Sequence, residues 1–188
     1  MKKNIENVIQ KYVDKHLSKE LMEVKTSHRA NEYPELNIYE KTIIYKYTED
    51  GYETLNSALR KGLQMSELGI HLIHSLNKLP NYRLLCYRAV EMSEKELGKY
   101  YDSLQNNTTI VEKSFLSCSK SRAIALAFCQ SLLFVILSKQ GKDIEKIAKF
   151  GIHSGQNEKE VLFKPNSKFR VLQITNENNR ITITLEEI

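Results

Sequence analysis

The periodicity of the apolar residues changes partway along the chain, and that change limits the folds open to it. Ile5, Val8, Ile9, Tyr12, Val13, Leu17, Leu21 and Val24 fall near helical spacing, which predicts an amphipathic helix over 4–24. Pro34 interrupts the pattern, and "NIYEKTIIYKYT" resumes it. Asp50-Gly51 then opens a further helix over "YETLNSALR" that Gly62 closes, and "SELGIHLIHSLNKL" is helical up to the residue before Pro80. Beyond residue 81 the runs are short, β-rich and bounded by polar turns: 82–90, 113–119, 132–138, 159–164, 169–175 and 180–187. "NENN" marks a hairpin turn between the last two, and one helix, around "SRAIALAFCQ", interrupts the series. Helices first and strands later, mostly without βαβ alternation, predict an α+β fold with a mixed, mainly antiparallel sheet. No repeat or linker divides the 188 residues, so a single domain is expected, mainly helical over 1–80 and mainly β over 81–188.

Composition excludes several classes. Three cysteines, Cys86, Cys118 and Cys129, lie in apolar or strand-like segments with no CxxC, and read as buried hydrophobes rather than a disulfide framework. His71 and His74 share a helix face but lack a third ligand, so no metal is expected. No secretory signal follows "MKKN", and no stretch reaches the ~20 apolar residues that span a bilayer. This fits either a cytoplasmic protein or one exported by a specialised system to act in a target cell. The net charge of +5 permits a nucleic-acid partner, but the lysines alternate with acids along "KKNIENVIQKYVDKHLSKELMEVK", which reads as a solvated helix face.

Alternation places polar residues on three strands. Leu84, Cys86, Arg88 and Val90 share one face, so Arg88 stands in an apolar row where a guanidinium needs an acid or phosphate partner. The opposite row, Leu85, Tyr87 and Ala89, could equally be the core, and spacing leaves the choice open. Phe115, Ser117 and Ser119 point one way and Leu116 and Cys118 the other, with no G-x-S-x-G elbow nearby. Glu158 and Glu160 fall on one face with Leu162, about 6–7 Å apart, where two carboxylates repel unless a site stabilises them.

Aromatic-Arg on one strand, Ser-x-Ser on a second and Glu-x-Glu entering a later one form an ordered set. It resembles the Arg-Ser-Glu class of mono-ADP-ribosyltransferases, which includes clostridial-type exotoxins and vertebrate arginine-specific enzymes. "IIYKYTEDGYETLNSALRKG" resembles the helical segment ahead of that family's first core strand, and "KEVLFKPNSKFRVL" its catalytic strand, turn and next strand. The likeness runs from about Tyr39 to Leu172. It implies a two-sheet ADP-ribosyltransferase core, NAD as donor substrate and no metal.

The resemblance also assigns roles. Arg88 corresponds to the arginine that holds an NAD phosphate, and Ser117 to the serine that orients the catalytic glutamate, Glu160. That glutamate bonds the 2′-hydroxyl of the nicotinamide ribose. Glu158 corresponds to the acceptor-engaging glutamate of arginine-specific members, and Tyr52 and Asn56 to helix residues that contact NAD. The expected partner is a target protein bearing an arginine. Water, a nucleic acid or a small guanidine are the alternative acceptors, and an inactive NAD-binding or partner-binding relative is the alternative of another class. Cys118 stands where threonine is common, and "CQSLL" stands where relatives often carry a basic residue, which shifts phosphate binding onto Arg88. "FGIHSGQN" lacks the aromatic of some toxins' target-recognition turn, with Phe150 or His153 as substitutes.

Overall fold

The change of period along the sequence is a change of secondary structure in the computed structural model, which describes residues 2–177 and 179–188. The first predicted helix is two, α1 (Lys2–His16) and α2 (Ser18–Lys25). Leu17 leaves the helical region at φ −131°, yet its N–H still reaches the Val13 carbonyl at 2.8 Å and its own carbonyl accepts from Leu21 N–H at 2.9 Å. The chain bends there without losing its ladder, and Ile9, Val13, Leu17, Leu21 and Val24 are all buried.

The next two helices are joined rather than separate. α3 (Ile38–Lys46) passes through a π-helical turn, Tyr47–Gly51, straight into α4 (Tyr52–Arg60). Gly51 has helical torsions, so it does not open a helix as the sequence suggests. A Cβ at Gly51 would lie 3.0 Å from the Lys46 carbonyl oxygen and from Leu68, which makes the position one of close approach. Gly62, at φ +73°, does end α4 as expected. α5 (Glu67–Lys78) is capped by the Ser66 hydroxyl.

Two compact units divide the chain, residues 1–80 with 143–157 and residues 81–142 with 158–188. The segment 143–157 therefore belongs with the helices, although it interrupts the β half of the sequence. In that unit Arg29 is buried and donates to the carbonyls of Ile147, Ala148 and Lys149 at 3.0–3.2 Å. At Gly151 a Cβ would fall 1.8 Å from the Glu145 carbonyl oxygen, so only glycine fits the turn.

The second unit is built on a mixed sheet. Its strands are β1 (Leu85–Val90), β2 (Thr109–Glu112), β3 (Leu116–Ser119), β4 (Leu132–Leu137), β5 (Lys142–Asp143), β6 (Glu160–Phe163), β7 (Ser167–Glu177) and β8 (Arg180–Glu187). Among the described residues their order is β2-β7-β8-β4-β1-β3-β6-β5. β8 pairs parallel with β4, while the other described pairings are antiparallel. The expected hairpin turn includes residue 178, outside the described residues, and the flanking pair is Glu177 with Arg180. The halves expected as two sheets meet at a single pair, Tyr87 with Ser119.

Two helices flank this sheet. α6 (Glu94–Asn106) went unpredicted, although Ser93 and Glu96 form a complete capping box at its start. α7 (Arg122–Phe128) is the helix expected near 121–130. Cys86, Phe134, Ile136, Val161, Phe163 and Ile183 form a core on one face, against which Leu97 and Tyr100 of α6 pack. On the other face Ala125 of α7 packs with Ala89 and Leu133.

Candidate active site

Both faces of β1 are covered, so neither simple reading of Arg88 describes it. Cys86 is fully buried on one face and Ala89 nearly so on the other, while Arg88 is half-buried in the Cys86 row. Continued antiparallel pairing from Tyr87–Ser119 would oppose Arg88 to Cys118, but the ladder stops at that one pair. The Arg88 guanidinium instead donates to the Ser117 carbonyl at 2.7 Å. It thus links β1 to β3 where the backbones have stopped bonding.

Ser117 and Glu160 come together on the other face. Ser119 is directly opposite Glu160 and Ser117 directly opposite Leu162, so Ser117, Ser119 and Glu160 share one face of the sheet. Glu160 is 6% exposed, and the Ser117 hydroxyl donates to its carboxylate. Burial pushes the Glu160 carboxyl up to about 7; the Ser117 bond and Arg88 oppose the rise, and the Glu158 charge adds to it.

Glu158 is placed by a different route from the one its sequence suggests. β6 begins only at Glu160, and Lys159 has φ +52°, in the left-handed region. Strand alternation therefore does not run through Lys159, and it is not what relates the two carboxylates. Glu158 is half-buried, and burial raises its carboxyl. Its carbonyl accepts from the Ser119 hydroxyl at 2.7 Å, and the Lys159 carbonyl accepts from Lys120 N–H at 2.9 Å. The Ser119 oxygen also accepts from Ser121 N–H at 3.1 Å, and Ser121 is the N-cap of α7. Sequence reasoning set Ser117 and Ser119 on one strand face but gave a role to Ser117 alone. The signal available for Ser119 was its place in the same Ser-x-Ser row.

At the C-terminal end of β1, Ala89, Val90, Glu91, Phe128, Cys129, Gln130 and Ser131 line a shallow, open cleft. Arg88 directly precedes this lining in the chain. None of these seven lining side chains is cationic.

Tyr52 and Asn56 lie in the helical unit. Asn56 is 7% exposed and donates to the Tyr47 hydroxyl at 3.2 Å, while Tyr52 is 43% exposed with its ring centroid 6.5 Å from that of Tyr47. The π-helical turn brings Tyr47 to this helix face. Among the described residues no group of three His, Cys, Asp or Glu side chains is arranged to hold a metal ion, and no helix is long and apolar enough to cross a membrane.

Comparison with known proteins bears on this constellation. A family model described as NAD:arginine ADP-ribosyltransferase matches residues 4–188. The NAD(+)–protein-arginine ADP-ribosyltransferase Tre1 of Pseudomonas putida (strain GB-1) is 31% identical over 146 residues, which cover 75% of this chain but 27% of Tre1. The chain thus spans about a quarter of that relative's length. Exoenzyme S from Pseudomonas aeruginosa, solved with human 14-3-3 protein beta and carba-NAD, superposes with a TM-score of 0.75 at 16% identity, covering 97% of this chain and 88% of that one. The Vis toxin of Vibrio splendidus, solved as an ADP-ribosyltransferase with agmatine, gives 0.63 at 22% identity, covering 100% and 86%. These two structures establish likeness of fold. A half-buried arginine bonded to the serine strand, a buried glutamate held by that strand and a family match along nearly the whole length lead to one assignment: the chain belongs to the NAD:arginine ADP-ribosyltransferase family.

Proposed function

We propose that this chain transfers a single ADP-ribose from NAD to the guanidinium of a protein arginine, releasing nicotinamide. The observation that carries the reading is Glu160, a buried carboxylate held by Ser117 with a second carboxylate, Glu158, two residues before it. Breaking the nicotinamide–ribose bond develops an oxocarbenium-like cation, which a preorganised carboxylate stabilises as it forms. Glu160 takes that role and bonds the ribose 2′-hydroxyl, while Ser117 fixes its orientation.

A guanidinium has five N–H donors. One of Arg88's holds the Ser117 carbonyl, and phosphate oxygens of NAD accept from others, with the neighbouring cleft housing part of the dinucleotide. The same proposal keeps Tyr52 and Asn56 as NAD contacts. Glu158 pairs with the acceptor guanidinium and aligns one nitrogen for attack. Full deprotonation of a group with a pKa above ~12 is not required. The likeness to a protein described as a toxin supports delivery into a target cell as the setting.

Labelled NAD incubated with cell lysate and with agmatine tests the proposal. Wild type should label both, and Glu160→Ala should lose roughly a hundredfold or more of the rate. Glu158→Ala should stop labelling while nicotinamide release continues. A wild-type protein that neither binds nor consumes NAD refutes the proposal.

A further inference from the structure

Resting on that reading of Glu158 and Glu160, we propose that the left-handed backbone at Lys159, locked by Ser119, decides whether the ADP-ribosyl cation meets a guanidine or water. Ser119 and Lys159 are positioning residues in this scheme and touch no reacting atom. Lys159 separates the two carboxylates at φ +52°. A residue with a side chain is rarely found there, because the conformation is strained relative to ordinary backbone. Such strain persists only where neighbouring bonds over-determine it.

Those bonds are present on both sides of the kink. The Ser119 hydroxyl donates to the Glu158 carbonyl at 2.7 Å, and Lys120 N–H donates to the Lys159 carbonyl at 2.9 Å. Ser119 is itself fixed, being 6% exposed and accepting from Ser121 N–H at 3.1 Å. Glu160 needs none of this. It lies in β6, opposite Ser119, with Ser117 on its carboxylate. The aims of the two carboxylates are therefore set by separate bonds. Extended backbone at Lys159 would turn Glu158 away from its present direction and leave Glu160 in register.

The two readouts are the transfer of ADP-ribose to agmatine and the hydrolysis of NAD in agmatine's absence, taken as a ratio. Lys159→Val, whose branched side chain disfavours positive φ, and Ser119→Ala should each lower that ratio by about tenfold or more, since small misplacements of a positioned group cost up to about a hundredfold. Lys159→Gly, which accepts the left-handed region freely, should keep the ratio within about twofold of wild type, and Ser119→Thr should restore what Ser119→Ala loses. The Km for agmatine should rise in the impaired variants more than that for NAD. An unchanged ratio in a folded Lys159→Val or Ser119→Ala variant overturns the inference and leaves the transferase reading standing. Equal loss of both activities also overturns it. Should Lys159→Val fail to fold, a Lys159→Gly variant that loses transfer decides against it. A wild type that consumes no NAD removes both proposals together.

Discussion

Burial holds the Glu160 carboxyl up to about 7, against an ordinary value of 4.5, so the free protein ionises it near neutrality. Between those values the folded state keeps a proton that the unfolded chain has released. Stability contributed at this residue is therefore greatest at low pH, and it falls as pH rises from about 4.5 through about 7. At 1.36 kcal/mol per pKa unit, the loss by pH 8 is roughly 3 kcal/mol. Glu160→Gln removes the ionisation and should melt above wild type at pH 8, with the gap narrowing by pH 5, while its transfer activity disappears. Thermal melts at the two pH values check this. The wild-type rate on free NAD should rise with pH, with a midpoint near 7.

Single elements show what the sequence made visible and what it hid. β1, β4, β7 and β8 were legible because short β-branched and aromatic runs between polar turns have few other conformations to adopt. Arg88, Ser117 and Glu160 were legible as a set because a resemblance tied them together, since alternation alone left Arg88 open. The turn at Lys159 was hidden, because lysine carries none of the glycine or asparagine signal that marks a left-handed residue. The join of α3 to α4 was hidden for the opposite reason, as Asp-Gly advertised a boundary that a π-helical turn bridges. β8 illustrates an element holding a neighbouring turn. Its Glu187 is 2% exposed and accepts from the N–H groups of Lys139 and Gln140, both at 2.7 Å. Glu187→Ala should strand those donors and cost about 2 kcal/mol, read as an earlier denaturation midpoint.

Across the whole chain, sequence order and spatial unit disagree at one place, 143–157. Ile144, Ile147 and Ala148 are buried there at i, i+3 and i+4, but a single such turn among strands is too short a signal to mark a helical partner. Arg29 adds bonds to backbone carbonyls, which every residue carries. Residues 1–80 made alone should therefore lack a sharp thermal transition, since a buried guanidinium loses three carbonyl acceptors and leaves a charge uncompensated. Circular dichroism of 1–80 beside the full chain checks this, and a cooperative melt of the fragment at the full chain's temperature would contradict it.

The position of β8 also sets a schedule for biosynthesis. It is the last strand in the sequence but lies between β7 and β4 in the sheet, paired parallel to β4. A ribosome adding about 5–20 residues per second delivers β1, β3 and β6 before the strand that ties β7 to the rest exists. Until residues 180–187 leave the exit tunnel, the sheet waits in two unconnected parts. Pairing of β2-β7 with the rest of this sheet therefore cannot be completed before β8 has emerged.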